Sequence, residues 1–143
     1  MRFEFEIEID RPVAEVFAYL SDVRNLPEWQ RATSEADWLG PEGAAKGARI
    51  RQKTSFLGRE LNMELEVTAY EPDRRFDVST VKGPISFEVR HSLGASDGGT
   101  AVHFVAEGRT GRLFRFAEPM IAGTAERDAL ADFQRLKAIL ESR

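Results

Sequence analysis

Over the first nine residues apolar and charged side chains alternate, with Phe3, Phe5, Ile7 and Ile9 falling between Arg2, Glu4, Glu6 and Glu8. A period of two sends successive side chains to opposite faces of an extended chain, so the segment predicts a strand with one dry face and one wet face. Asp10, Arg11 and Pro12 interrupt it. Pro12 suits the opening of a helix, and Asp10 is able to cap the first turn. Val13, Val16, Phe17 and Leu20 then recur at spacings of three and four, predicting a short amphipathic helix that ends near Asp22. Asn25 is placed to cap a second short turn through Leu26, Pro27, Glu28 and Trp29.

From there the chain reads as strands over 34–39, 47–55, 59–71, 75–81, 85–93 and 100–107. Their dividers are Pro41 with Gly43, then Gly58, Pro72 with Asp73, Gly83 with Pro84, and Asp97-Gly98-Gly99. These residues supply the backbone angles that turns require. Short dividers imply antiparallel neighbours, and seven strands are enough to curl strongly. The last segment, 113–141, changes period: Leu113, Phe116, Met120, Leu130, Phe133, Leu136 and Leu140 fall at helical spacings. Pro119 alone argues for a break or a later start. A continuous helix there is about 40 Å long, able to cross a small sheet. The expected class is α+β in a single domain spanning 1–143, with no repeat or linker.

Alternation also assigns faces. Leu61, Met63, Leu65 and Val67 point inward, as do Phe76, Val78, Ile85, Phe87, Val89, Val102 and Phe104, while Asn62, Glu64 and Glu66 point out. A helix only about 10 Å wide cannot fill the concave side of such a sheet, so an apolar cavity is expected, the ordinary form of a small-molecule site. Polar residues in phase with the inner face are the informative ones. Gln52 and Thr54 share the parity of Ile50, and His91 that of Phe87 and Val89. They are read either as groups that orient a ligand or as residues satisfied within the fold. Trp29 is read as part of a cavity mouth or as plain packing. Met63, Met120 and Phe116 are read as cavity wall or core filler.

Composition narrows the function classes. The net charge of −4 argues against a surface that neutralises phosphates, so no nucleic-acid partner is expected. The absence of cysteine removes disulfides, thiolate ligands and a Cys nucleophile. No apolar run approaches bilayer length and the start lacks a signal-like pattern, so a cytoplasmic protein without integral membrane association is expected.

Several marks together resemble the START and polyketide-cyclase-like superfamily, the helix-grip or SRPBCC proteins. They are Ile9-Asp10-Arg11-Pro12 before Val16-Phe17, the stretch from Asp22 to Trp29, and Gly47 opening a strand. Phe56-Leu57-Gly58-Arg59 at a hairpin, Tyr70-Glu71-Pro72, Gly99-Thr100 and Leu136-Lys137 complete the pattern across nearly the whole chain. The resemblance implies a seven-stranded curved antiparallel sheet gripping a long C-terminal helix, with two short helices after the first strand and a cavity between. It implies no single activity, because members include carriers and enzymes.

Catalytic signals are sparse. His91 and His103 fall on different strands with opposite facing, so no metal site is expected. His103, Ser86 and Ser92 read as outward, and no nucleophile elbow is present. His91 is the one weak candidate for acid–base work. Gly108-Arg109-Thr110-Gly111-Arg112 fits no phosphate-binding fingerprint, although Arg109, Arg112 and Arg115 could meet an acidic head group. No cofactor is expected. Three functions stay open: binding of an apolar lipid-, polyketide- or aromatic-like molecule, a cyclase, aromatase or dehydratase using the same cavity, and a protein-interaction domain. A homodimer is also left open.

Overall fold

The computed structural model describes residues 1–109 and 118–143. Its elements run β1 (Arg2–Ile9), α1 (Val13–Leu20), a 3₁₀ turn (Val23–Asn25), α2 (Leu26–Trp29), β2 (Thr33–Trp38), β3 (Arg49–Phe56), β4 (Arg59–Glu71), β5 (Arg75–Lys82), β6 (Ser86–Ser96), β7 (Gly99–Arg109) and α3 (Glu118–Glu141). The seven strands form one antiparallel sheet in the order β1-β7-β6-β5-β4-β3-β2, with α1, the 3₁₀ turn and α2 bridging its two edges in sequence. Register shifts between Val67 and Ala69 on β4 and between Thr33 and Glu35 on β2 add twist, as bulges do.

Turn chemistry sets the hairpins. Ser96 pairs with Gly99, so Asp97 and Gly98 form a two-residue loop, with φ of 46° and 82°. Positive φ at both positions matches the twist of the flanking strands, which explains the Asp-Gly pair. Gly99 is needed for a different reason: a Cβ there would lie 2.5 Å from the Ile9 carbonyl oxygen, so only glycine lets β7 approach the end of β1.

The closed end of the core joins Val16, Ile9, Val102, Leu136 and Leu140, none more than 1% exposed. It pins the C-terminal half of α3 beside β1. Polar bonds reinforce the join: the Asp10 N–H donates to the Glu141 carboxylate at 2.9 Å, and the Arg11 guanidinium donates to the Glu141 carbonyl oxygen at 3.0 Å and also reaches that of Arg143.

Several local expectations are corrected. Asp10 does not cap α1; Pro12 occupies the N-cap position and no side chain caps it. Asn25 sends its amide to the Tyr19 carbonyl oxygen instead of capping α2, while Asp22 caps the 3₁₀ turn by accepting from the Arg24 N–H. Pro119 stands in the first turn of α3, where a missing N–H is tolerated. The expected helix over 113–117 lies outside the described residues. Met120 is 76% exposed and Leu130 is 40% exposed, although both belonged to the expected apolar stripe. At about 100° per residue Met120 lies about 140° from Phe133 and Leu130 about 60° to the same side, away from Leu136 and Leu140. Spacings of three and four persist around a helix; only the summed angle identifies the buried face.

Candidate functional site

Between the concave face of the sheet and α3 lies a hollow of about 280 Å³, the room of about nine waters at ~30 Å³ each. Its cause can be read along the inner face of α3. Leu136 and Leu140 fill the closed end, and Phe133 bounds the interior beyond them. One and two turns earlier the inward positions are Ala129 and Ala125, which line the hollow and leave it unfilled. The sheet side is apolar, supplied by Ile50, Met63, Leu65, Phe76, Val78, Phe87, Val89 and Phe104. The hollow reaches the hairpin end of the sheet at Phe56, Ile85 and Gly108, next to Met1 and Phe3.

Phe133 organises the inner wall. Its ring centroid lies 4.8 Å from that of Phe104, 5.1 Å from Trp29, 5.4 Å from Phe5 and 5.9 Å from His91. The Trp29 and Phe5 contacts are edge-on, a favourable geometry for aromatic pairs. Trp29 is 1% exposed, yet its indole N–H has no acceptor among the described residues.

His91 is 6% exposed, and its Nδ1 lies 2.7 Å from the Phe76 carbonyl oxygen. Since a carbonyl only accepts, Nδ1 carries the proton and Nε2 is left with a lone pair. Burial drives the pKa of the ring down to about 4, against the opposing pull of the Phe76 carbonyl and Asp77. The imidazole is therefore neutral at physiological pH.

A polar cluster closes the β2–β3 side. Thr33 Oγ1 donates to Gln30 Oε1 at 2.8 Å, and Gln52 Nε2 donates to Thr33 Oγ1 at 2.8 Å and to Gln30 Oε1 at 3.3 Å. Thr54 pairs with Thr33 in the register and also lines the hollow. On the helix side Asp128 and Asp132 join the wall, with Glu107 at the end of β7. Burial raises the Asp132 carboxyl pKa, opposed by the Arg31 N–H at 3.2 Å and the Arg135 guanidinium. Glu107 is paired with Arg2 and Arg90.

Of the residues singled out in the sequence, Trp29, Gln52, Thr54, Met63, Leu65, Phe76, Val78, Phe87, Val89, His91 and Phe104 all line this one space. Met120 does not, because it projects from the outer side of α3. Phe116, Arg112 and Arg115 lie outside the described residues. Arg109 is exposed at the end of β7 and is not on the wall. His103 sits on the outer face with Nε2 3.0 Å from Glu4, and Ser86 and Ser92 are exposed. Sequence reasoning missed Gln30, Thr33 and Asp132. Thr33 has the parity of the outward Glu35 and Asp37 and is turned inward only by the bulge between Thr33 and Glu35, which alternation does not announce; Gln30 follows a four-residue helix too short to show a period.

Among the described residues no group of three or more His, Asp or Glu is placed to hold a metal ion, and no helix is long and apolar enough to cross a membrane.

The sequence matches the family described as "Polyketide cyclase / dehydrase and lipid transport" over residues 1–141. No curated protein matches it significantly. Solved structures share the architecture at low identity. A protein from Thermus thermophilus superposes with a TM-score of 0.86 at 14% identity, covering 99% of this chain and 98% of its own. A START superfamily protein from Mycobacterium smegmatis gives 0.81 at 13%, covering 99% and 97%. Ara h 8.0201 gives 0.78 at 16%, covering 100% and 99%. At such identities the likeness fixes the helix-grip fold and leaves the ligand to the residues on the wall.

Proposed function

The chain belongs to the polyketide cyclase/dehydrase and lipid transport family, of the START-like helix-grip superfamily, and from that premise we propose that it binds an apolar small molecule in the hollow between the sheet and α3. The observation that carries the reading is the pair Ala125 and Ala129. Every other inward position of α3 from Phe133 onward is large, and the two small ones face an apolar sheet across about 280 Å³. Cores are normally packed to the density of organic crystals, so a void of this size costs stability unless a guest fills it. The wall is dominated by aromatic and aliphatic side chains with a few polar groups, the usual make-up of a small-molecule site.

Binding fits the wall better than catalysis does. A ring with a pKa of about 4 has little driving force to accept a proton at neutral pH. His91 is read as a fixed hydrogen-bond acceptor for a ligand, not as a base. Native mass spectrometry of the protein purified from its producing cells tests the proposal. Release of a stoichiometric small molecule, together with a rise in Tm on adding it back, is the expected result. No co-purifying molecule and no Tm response across a library of apolar metabolites would sink it.

A further inference from the structure

One edge of the sheet is only half covered. The Gly108 N–H donates to the Met1 carbonyl oxygen at 3.0 Å, and the Met1 amine donates to that of Gly108 at 2.9 Å. In an antiparallel ladder such doubly bonded pairs recur at every second residue, so Phe3, Phe5, Ile7 and Ile9 turn their backbone groups to β7. Arg2, Glu4, Glu6 and Glu8 turn theirs to the free edge. Two bonds confirm this phase: the Lys137 ammonium donates to the Glu8 carbonyl oxygen, and the Asp10 N–H donates to the Glu141 carboxylate. α3 therefore covers the edge from Glu8 onward. Among the described residues no hydrogen bond reaches the backbone groups of Arg2, Glu4 or Glu6 on that side. The opposite edge, β2, is interrupted by the register shift between Thr33 and Glu35, and bulges keep an edge from pairing. β1 runs in unbroken register.

The open stretch is complementary to itself. Laid antiparallel to a second copy about a two-fold axis at Glu4, it sets Arg2 opposite Glu6 of that copy, and Glu6 opposite its Arg2, on the exposed outer face. On the inner face Phe3 falls opposite Phe5, and both are half-buried in the single chain. These are the non-hydrogen-bonded pairs of the new ladder, in which side chains come closest and aromatic pairs gain most. The two Glu4 carboxylates meet at the axis, each with the Arg2 guanidinium at 3.3 Å and His103 Nε2 at 3.0 Å in its own chain. The guanidinium tempers the like-charge contact. A register shifted two residues along would set Glu4 opposite Glu6 and run into the Lys137 bond at Glu8. We propose that the protein self-associates through this edge, β1 pairing with β1 of a second copy over Arg2 to Glu6 and joining two seven-stranded sheets into one.

Sedimentation equilibrium from about 10 μM to about 1 mM tests this, since a short edge contact belongs to the weak class of interfaces. The mass should rise toward that of a dimer across the range; a monomer throughout overturns the proposal. Glu4→Pro removes an N–H that faces the open edge and none that faces β7, a place where strands tolerate proline. Dimerisation should weaken at least about tenfold while Tm stays within a few degrees. An unchanged dimer in that variant overturns the proposal, because pairing through any other face leaves it untouched. An exchange of charges decides the matter if the proline variant does not fold. Glu6→Arg sets two guanidinium groups opposite each other and should weaken the dimer at least about tenfold, and adding Arg2→Glu should restore it to within about threefold of wild type. A double variant as weak as Glu6→Arg alone overturns the pairing about Glu4.

Discussion

His91 and Phe76 face each other across the β5–β6 pair, and the imidazole Nδ1 lies 2.7 Å from the Phe76 carbonyl oxygen. The bond fixes the tautomer while burial keeps the ring neutral, so the interior holds a hydrogen-bond acceptor whose charge state does not change near pH 7.

That neutrality makes stability depend on pH. The folded pKa of about 4 lies below the ordinary histidine value of 6.5, so the unfolded chain takes up a proton that the folded chain refuses. The stabilisation is complete above about pH 6.5, falls as pH drops through the interval, and levels off below about 4, a loss of about 3 kcal/mol in all. Urea denaturation of the wild type and of His91→Gln between pH 4 and 7 checks it. The slope attributable to this ring should vanish in the variant; identical slopes would show that carboxylates account for the whole dependence.

Phe133 touches Phe5, Trp29, His91 and Phe104 and is 2% exposed. Phe133→Ala should lower stability by about 3–5 kcal/mol and enlarge the hollow. Chemical denaturation measures the loss. A change below about 1 kcal/mol would mean that the ring is not part of the packed core.

Ala129→Phe makes the opposite change, placing a ring in the existing void. Because the space is already open, Tm should stay within a few degrees of wild type, whereas overpacking a full core costs about 1–3 kcal/mol. Binding of an apolar probe such as naphthalene should weaken by at least about tenfold. Undiminished binding would place the guest somewhere other than beside α3.

Gln52 holds Thr33 and Gln30 together through one amide. Gln52→Leu keeps the volume and removes the donor, so a loss of about 1–2 kcal/mol is expected. Unchanged denaturation would mean that these three residues gain nothing from one another.

Gly99→Ala sets a methyl group 2.5 Å from the Ile9 carbonyl oxygen. Since backbone must shift to accommodate it, Tm should fall by several degrees. A Tm equal to that of wild type would show that β1 and β7 can part without penalty at this point.

The sheet was legible because period-two alternation is a short-range signal that each strand carries alone. Leu61 to Val67 and Phe87 to His91 reveal their inner faces without reference to any neighbour. Cavity residues on strands were therefore accessible from sequence. Those on the helix side were not, because Met120 and Leu130 satisfy the spacing rule while lying outside the buried face, and Ala125 and Ala129 carry no apolar signal of their own. Partnerships such as Thr33 with Gln30 and Gln52 are also invisible in one dimension, since they depend on where α2 ends relative to β3. The missing partner of Trp29 is a fact about surroundings, and only coordinates disclose it.

The two alanines of α3 act as an adjustable stop. They face the interior one turn apart, on a helix anchored at its far end by Leu136, Leu140 and the bonds from Glu141 to Asp10 and Arg11. Exchanging them for larger or smaller residues resizes the chamber while every strand keeps its register. One scaffold can thus be retuned to guests of different bulk by changing two side chains.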